Sequence, residues 1–266
     1  MPSRNPVFRT SKAFAPQGYA SFNQSAVPTA SAAELEQMYG APPATTADTG
    51  RMSIDDVVVK TAILFAVLLP TAAIGWFLQS PILLWGGLIV GFVLSLVISF
   101  KQSTSPALIL PYAAAEGFFL GGISWVFEQV WPGIVAEAVL GTLAVFVAAL
   151  LAFRSGKIRV TPKFRRTVLI AMGGYLLFGL VNLVVIAFGG GGTFGLQSGG
   201  LGIVIGVFAI GLAATMLVLD FDYAQQGVRN GLPERYSWLA AFGLLVTLVW
   251  LYLEILRLLA ILRGND

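Results

Sequence analysis

Long apolar runs alternate with short polar or glycine-rich segments from residue 57 to residue 262. A helix needs roughly 17 to 25 apolar residues to cross a bilayer core of about 30 Å, and seven runs reach that length. The predicted spans are residues 57–78, 82–100, 107–127, 134–153, 167–188, 201–219 and 238–262. We expect the sixth helix to continue past its apolar run through Asp220 and Asp222. The pattern therefore predicts an all-α integral membrane protein with seven transmembrane helices.

The composition agrees with this pattern and separates a polar tail from the membrane domain. The chain is 57% hydrophobic and 11% charged, far from the balance of a soluble domain. Residues 1–52 are rich in Pro, Ala, Ser and Thr and contain no long apolar run, so they bury too little surface to offset chain entropy. We predict a disordered cytoplasmic tail at 1–52, without a signal peptide, and a transmembrane domain at 53–266.

The sequence contains two candidate capping boxes, one in the tail and one at the start of the transmembrane domain. Ser31 with Glu34 fits one that would start a short helix through Tyr39, and the alternative there is a solvated linker. Ser53 with Asp56 forms the second and predicts the start of the first transmembrane helix.

The basic residues indicate the orientation. Fourteen of the sixteen Lys and Arg residues fall in the tail, at the start of the first span or in alternate loops on one side. Cytoplasmic loops retain positive charge, so we predict a cytoplasmic N-terminus and an outside C-terminus in the cell membrane. The pI near 9.3 is explained by these loops and requires no nucleic acid.

The chain contains neither cysteine nor histidine. Thiol catalysis, thiolate metal sites, His-dependent zinc hydrolysis and Ser/His intramembrane proteolysis are therefore excluded. Retinal binding would need a lysine in the last span, which has none, and the Gly-x-Gly-Asp motif of intramembrane aspartyl proteases is missing. We expect no enzymatic activity and no cofactor.

Ionisable residues within the spans are the candidate functional residues. A charge at the centre of the bilayer costs on the order of 2.5 to 3.5 kcal/mol, so such residues mark functional sites by default. Glu116 lies ten residues into the third span beside Gly117 and Gly121, whose spacing permits close helix packing. It is either a proton- or cation-binding carboxylate or a neutral packing residue.

Glu254 and Arg257 lie three residues apart and share one helix face, where they can pair. The pair is either a self-neutralising salt bridge that permits insertion or a gate in which Arg257 competes with a cation for Glu254. Asp220 and Asp222 project about 200° apart on a helix, so only one can face a given interior surface. The other would be solvated at the cytoplasmic mouth.

Carboxylates gathered in a cavity of low dielectric can bind protons near neutral pH or, with enough oxygen ligands, a hard cation such as calcium. The spans supply acids and carbonyls but no nitrogen base. Protons and calcium are therefore the candidate cargo.

Several of these motifs resemble the Bax inhibitor/YccA family, also called the transmembrane BAX inhibitor motif family. They are seven spans, Glu116-Gly117 in the third, Phe221-Asp222 at the end of the sixth, and Leu251-Tyr252-Leu253-Glu254-Ile255 in the seventh. The resemblance covers residues 54–263, and the tail with Asn5-Pro6-Val7-Phe8 looks like the actinobacterial branch.

The resemblance implies six helices around a central seventh and a pH-sensitive cation leak, usually of calcium, controlled by acids of helices six and seven. Carried over, Asp222 and Glu254 are those acids and a weak calcium site, with Asp220 an extra candidate. Asp222 and Glu254 are 32 residues apart, which predicts about 15 to 20 Å between them along the membrane normal. Arg257 stands where the family usually has no charge and could lock the pore shut. The alternative function is a non-enzymatic modulator that binds a membrane protease.

Overall fold

The computed structural model describes residues 50–156, 160–190, 192 and 194–264. Within these residues the chain forms seven α-helices, each long and apolar enough to cross a membrane, and no strand. The helices are α1 (Ile54–Leu78), α2 (Pro81–Lys101), α3 (Pro106–Val130), α4 (Ile134–Arg154), α5 (Pro162–Ala187), α6 (Gly199–Arg229) and α7 (Tyr236–Arg263). The predicted fold class is confirmed, and α6 continues past Asp220 and Asp222 as expected.

Local sequence signals determine where these helices begin. Ser53 accepts a hydrogen bond from the backbone of Asp56, whose carboxylate accepts from the Ser53 backbone, so the predicted capping box is formed. Helices α2, α3 and α5 each begin at a proline, which has no N–H to leave unpaired in the first turn. The other predicted box, between Ser31 and Glu34, lies outside the described residues.

The last helix is the centre of the bundle. It packs against α1, α3, α4 and α6 and is the most buried of the seven spans. Helix α2 packs mainly on α3, and α5 mainly on α6. Most of the surface of α5 faces outward, as expected for a helix in contact with lipid.

Glycines bring α1, α2 and α3 into close contact. A Cβ on Gly121 would lie 2.0 Å from the carbonyl oxygen of Ala72, and one on Gly117 would lie 1.9 Å from the Thr71 hydroxyl. On the other side of α3, a Cβ on Gly87 of α2 would lie 2.6 Å from the carbonyl oxygen of Ala115. The close packing predicted at Gly117 and Gly121 is therefore present.

An ion pair is present at each end of the bundle. At the end where α1 begins, which we call the basic end, Lys60 donates to the Glu234 carboxylate in the α6–α7 connection. Met52, assigned to the tail from the sequence, is buried there and donates its N–H to the Leu232 carbonyl. At the opposite end, Arg263 pairs with Glu137 at 2.6 Å.

Candidate functional site

The predicted pair of Glu254 and Arg257 is present inside the bundle. The two residues are 7% and 9% exposed, and a guanidinium nitrogen of Arg257 donates to Glu254 Oε2. The other carboxylate oxygen, Oε1, accepts from the Tyr175 hydroxyl and, at 3.0 Å, from the Trp250 indole N–H. Glu254 therefore has three protein donors, which occupy most of the acceptor sites of its carboxylate.

Arg257 has a second partner that comes from outside α7. Its Nη1 donates to Gln197 Oε1, in the connection that precedes α6. Asn182 of α5 holds this connection in place, because its side chain accepts from the Leu196 N–H and donates to the Phe194 carbonyl. We call Glu254, Arg257, Gln197, Tyr175 and Trp250 the Glu254 cluster. It joins α5, the α5–α6 connection and α7.

Asp220 is the acid of α6 that faces the central helix. Its Oδ2 accepts a hydrogen bond of 2.6 Å from the Thr247 hydroxyl of α7, and a Cβ on Gly243 would lie 3.7 Å from Oδ1. None of the ion pairs among the described residues includes Asp220. Its carboxylate therefore lies at a helix interface without an opposite charge.

Asp222 occupies a different environment. It accepts a hydrogen bond from Gln226, one turn later on α6, and lines the wide opening between α1 and α4 near Arg154 and Arg229. Only one of the two aspartates hydrogen-bonds to α7, as the helical spacing allowed, and it is Asp220 rather than Asp222, to which the resemblance assigned the helix-six role. The physical reason is the rotation of about 200° between them, which directs Asp220 to Thr247 and Asp222 away from it.

Asp222 and Glu254 are consequently not brought together. Glu254 lies seven residues, or roughly 10 Å of helix rise, beyond Thr247 toward the opposite end, and it shares no hydrogen-bond partner with Asp222. No group of three or more acidic residues assembles within the described part of the chain. Calcium takes six to eight oxygen ligands, so the predicted two-acid calcium site at Asp222 and Glu254 is not formed in this arrangement.

Glu116 lies apart from both acids of the α6–α7 interface. Its carboxylate points to α2, where a Cβ on Gly91 would lie 3.0 Å from Oε1. Tyr112, one turn earlier on α3, packs edge-on against Phe242 of α7. The four candidate acids, Glu116, Asp220, Asp222 and Glu254, thus occupy four separate places in the described bundle.

Comparison with protein families decides the classification. The model of a family described as "Bax inhibitor 1 like" matches residues 5–264. The chain belongs to this Bax inhibitor 1-like family. No significant match was found among curated proteins or among solved structures. The resemblance that the helix-six and helix-seven motifs indicated is thereby confirmed, and the match also includes most of the N-terminal tail.

In this Bax inhibitor 1-like protein, several polar residues around the acids and Arg257 were not predicted from the sequence. These are Tyr175, Trp250, Gln197, Asn182 and Thr247. Trp250 lies one turn before Glu254 on α7, so helical spacing could have indicated that contact. The pairings of the other four depend on which segments are neighbours in the bundle, and hydropathy along the chain does not contain that information.

Proposed function

We propose that the protein is a pH-sensitive cation leak for calcium or protons in the cell membrane, with its N-terminus cytoplasmic. The observation that carries the proposal is the buried ion pair of Glu254 and Arg257 on the central helix. Charges in a membrane-spanning helix are costly, and a pair placed at the centre of a bundle is suited to a conduction path. Membership of the Bax inhibitor 1-like family supports the same class of function.

The Glu254 cluster represents the closed state of the proposed leak. Arg257 occupies one oxygen of Glu254 and places a fixed positive charge where a cation would pass. Without the charge of Glu254, Arg257 loses the group that holds it. The guanidinium keeps its hydrogen bond to Gln197 and can then move toward the opposite end. Release of the ion pair therefore opens the path.

Asp220 is the second acidic residue that we place on the proposed path. It lies on the basic-end side of Glu254 at the α6–α7 interface, and its described partner there is the neutral hydroxyl of Thr247. A carboxylate without an opposite charge can exchange protons or contribute to a cation site. Asp222 lines the opening between α1 and α4 instead, so it lies outside this path.

Cation flux into liposomes that contain the purified full chain tests the proposal. Flux of calcium, sodium and potassium is measured from pH 8 to pH 6, and we expect it to rise as the pH falls. Glu254→Gln removes the charge that holds Arg257, so its flux should be high at every pH tested. Asp220→Asn should lower the flux at every pH tested, because it removes an acidic group from the path.

Asp222→Asn is the matched control, since it removes the same charge two residues along the same helix and should keep most of the pH response. Glu254→Gln with the pH response of the wild-type protein would refute the latch. A wild-type protein that conducts none of the three cations at any pH would contradict the leak itself. That result would favour the alternative, a modulator of a membrane protease.

A further inference from the structure

A deep groove lies between α1 and α4, apart from the Glu254 cluster. It has a volume of about 1660 Å³ and extends from Ile54 and Arg154 at the basic end to Phe77 near the end of α1. Its walls are apolar side chains of α1 and α4, and the central helix forms part of its floor through Leu248 and Tyr252. The α1–α4 groove thus follows the central helix through most of the membrane thickness.

The mouth of the groove at the basic end is positively charged. Arg154 at the end of α4 and Arg229 at the end of α6 both line it and are exposed. Neither guanidinium forms an ion pair with a described residue. The one acid that lines the mouth, Asp222, accepts its hydrogen bond from Gln226 instead. The two arginines are therefore available to an anionic group from the membrane.

The level just inside the mouth lies at the polar boundary of the membrane. Lys60 of α1 reaches Glu234 in the α6–α7 connection there, and the next residue, Thr61, lines the groove. The apolar part of the groove therefore begins one level below the charged mouth.

We propose that the groove binds one anionic phospholipid from the leaflet at the basic end. Its phosphate contacts Arg154 and Arg229, and its acyl chains lie along the apolar walls. Positive charge at the mouth and an apolar interior occur in the order of the parts of an anionic phospholipid. The lipid would pack against the side of α7 that carries Leu248 and Tyr252, so it would also support the central helix.

Native mass spectrometry of the full chain tests this, with micelles that contain equal amounts of phosphatidylglycerol and phosphatidylcholine. We expect one retained lipid and a preference for phosphatidylglycerol. An arginine near the membrane surface contributes about five-fold to anionic lipid binding, so Arg154→Gln with Arg229→Gln should lower that preference by about 25-fold. Lys101→Gln removes a basic residue at the same end outside the groove and should leave the preference unchanged.

Two further variants test the interior of the groove. Ala62→Phe fills it beside Thr61 and should abolish retention of both lipids, whereas Leu176→Phe on the outward surface of α5 should not. Thermal melting verifies that each variant is folded. Equal retention of the two lipids by the wild-type protein, or unchanged retention in folded Ala62→Phe, would overturn the proposal.

Discussion

Replacing the two charges of the buried pair one at a time should destabilise the protein unequally. In Glu254→Leu, Arg257 stays ionised, because a guanidinium is not deprotonated in proteins, and keeps Gln197 as its main remaining partner. An uncompensated buried charge costs about 3 to 5 kcal/mol. In Arg257→Leu, the acid keeps Tyr175 and Trp250 as donors and can take up a proton, so we expect a loss of about 1 to 3 kcal/mol.

The double variant separates the pair from other effects of the substitutions. With both charges removed, no isolated charge stays buried, and apolar replacement of a buried pair is often close to neutral. Its loss of stability should therefore be smaller than the sum of the single losses by at least about 1 kcal/mol, which is a coupling typical of contacting residues.

Unfolding of purified protein in mixed micelles, followed by tryptophan fluorescence, measures these differences. The matched control is Glu137→Ala, which breaks the exposed pair with Arg263 and should cost no more than about 1 kcal/mol. Single losses that add within about 0.5 kcal/mol would refute the coupling. A larger loss for Arg257→Leu than for Glu254→Leu would refute the argument that the unpaired guanidinium is the costly state.

Three further predictions concern the fold and the topology. Gly121→Ala should destabilise the bundle by about 1 to 3 kcal/mol, because the new Cβ meets the Ala72 carbonyl, whereas Gly173→Ala, with open space around it, should be neutral or stabilising in the same unfolding assay. A single cysteine added after Arg263 should react with an impermeant maleimide only from outside the cell, and labelling only from the cytoplasm would reverse the topology. Deletion of residues 1–45 should leave membrane insertion and the thermal transition intact, since their sequence is rich in Pro, Ala, Ser and Thr and contains no long apolar run.

Much of the fold could be predicted from the chain alone because the bilayer imposes a length and a polarity on each helix. Seven apolar runs specify seven spans. Ser53 and the prolines at the starts of α2, α3 and α5 specify where four of them begin. The pairing of Glu254 with Arg257 was also predictable, since residues three apart on one helix meet regardless of what surrounds them.

The candidate site was predictable only in part, because most of its remaining contacts join different segments of the bundle. Helical periodicity showed that Asp220 and Asp222 point in different directions. Which residues each side chain contacts depends on how α6 is rotated against α7. Only the packed bundle places Thr247 beside Asp220 and leaves Asp222 at the mouth of the groove. Side-chain direction along one helix is a local property, whereas the partner it meets is decided by the packing of all seven.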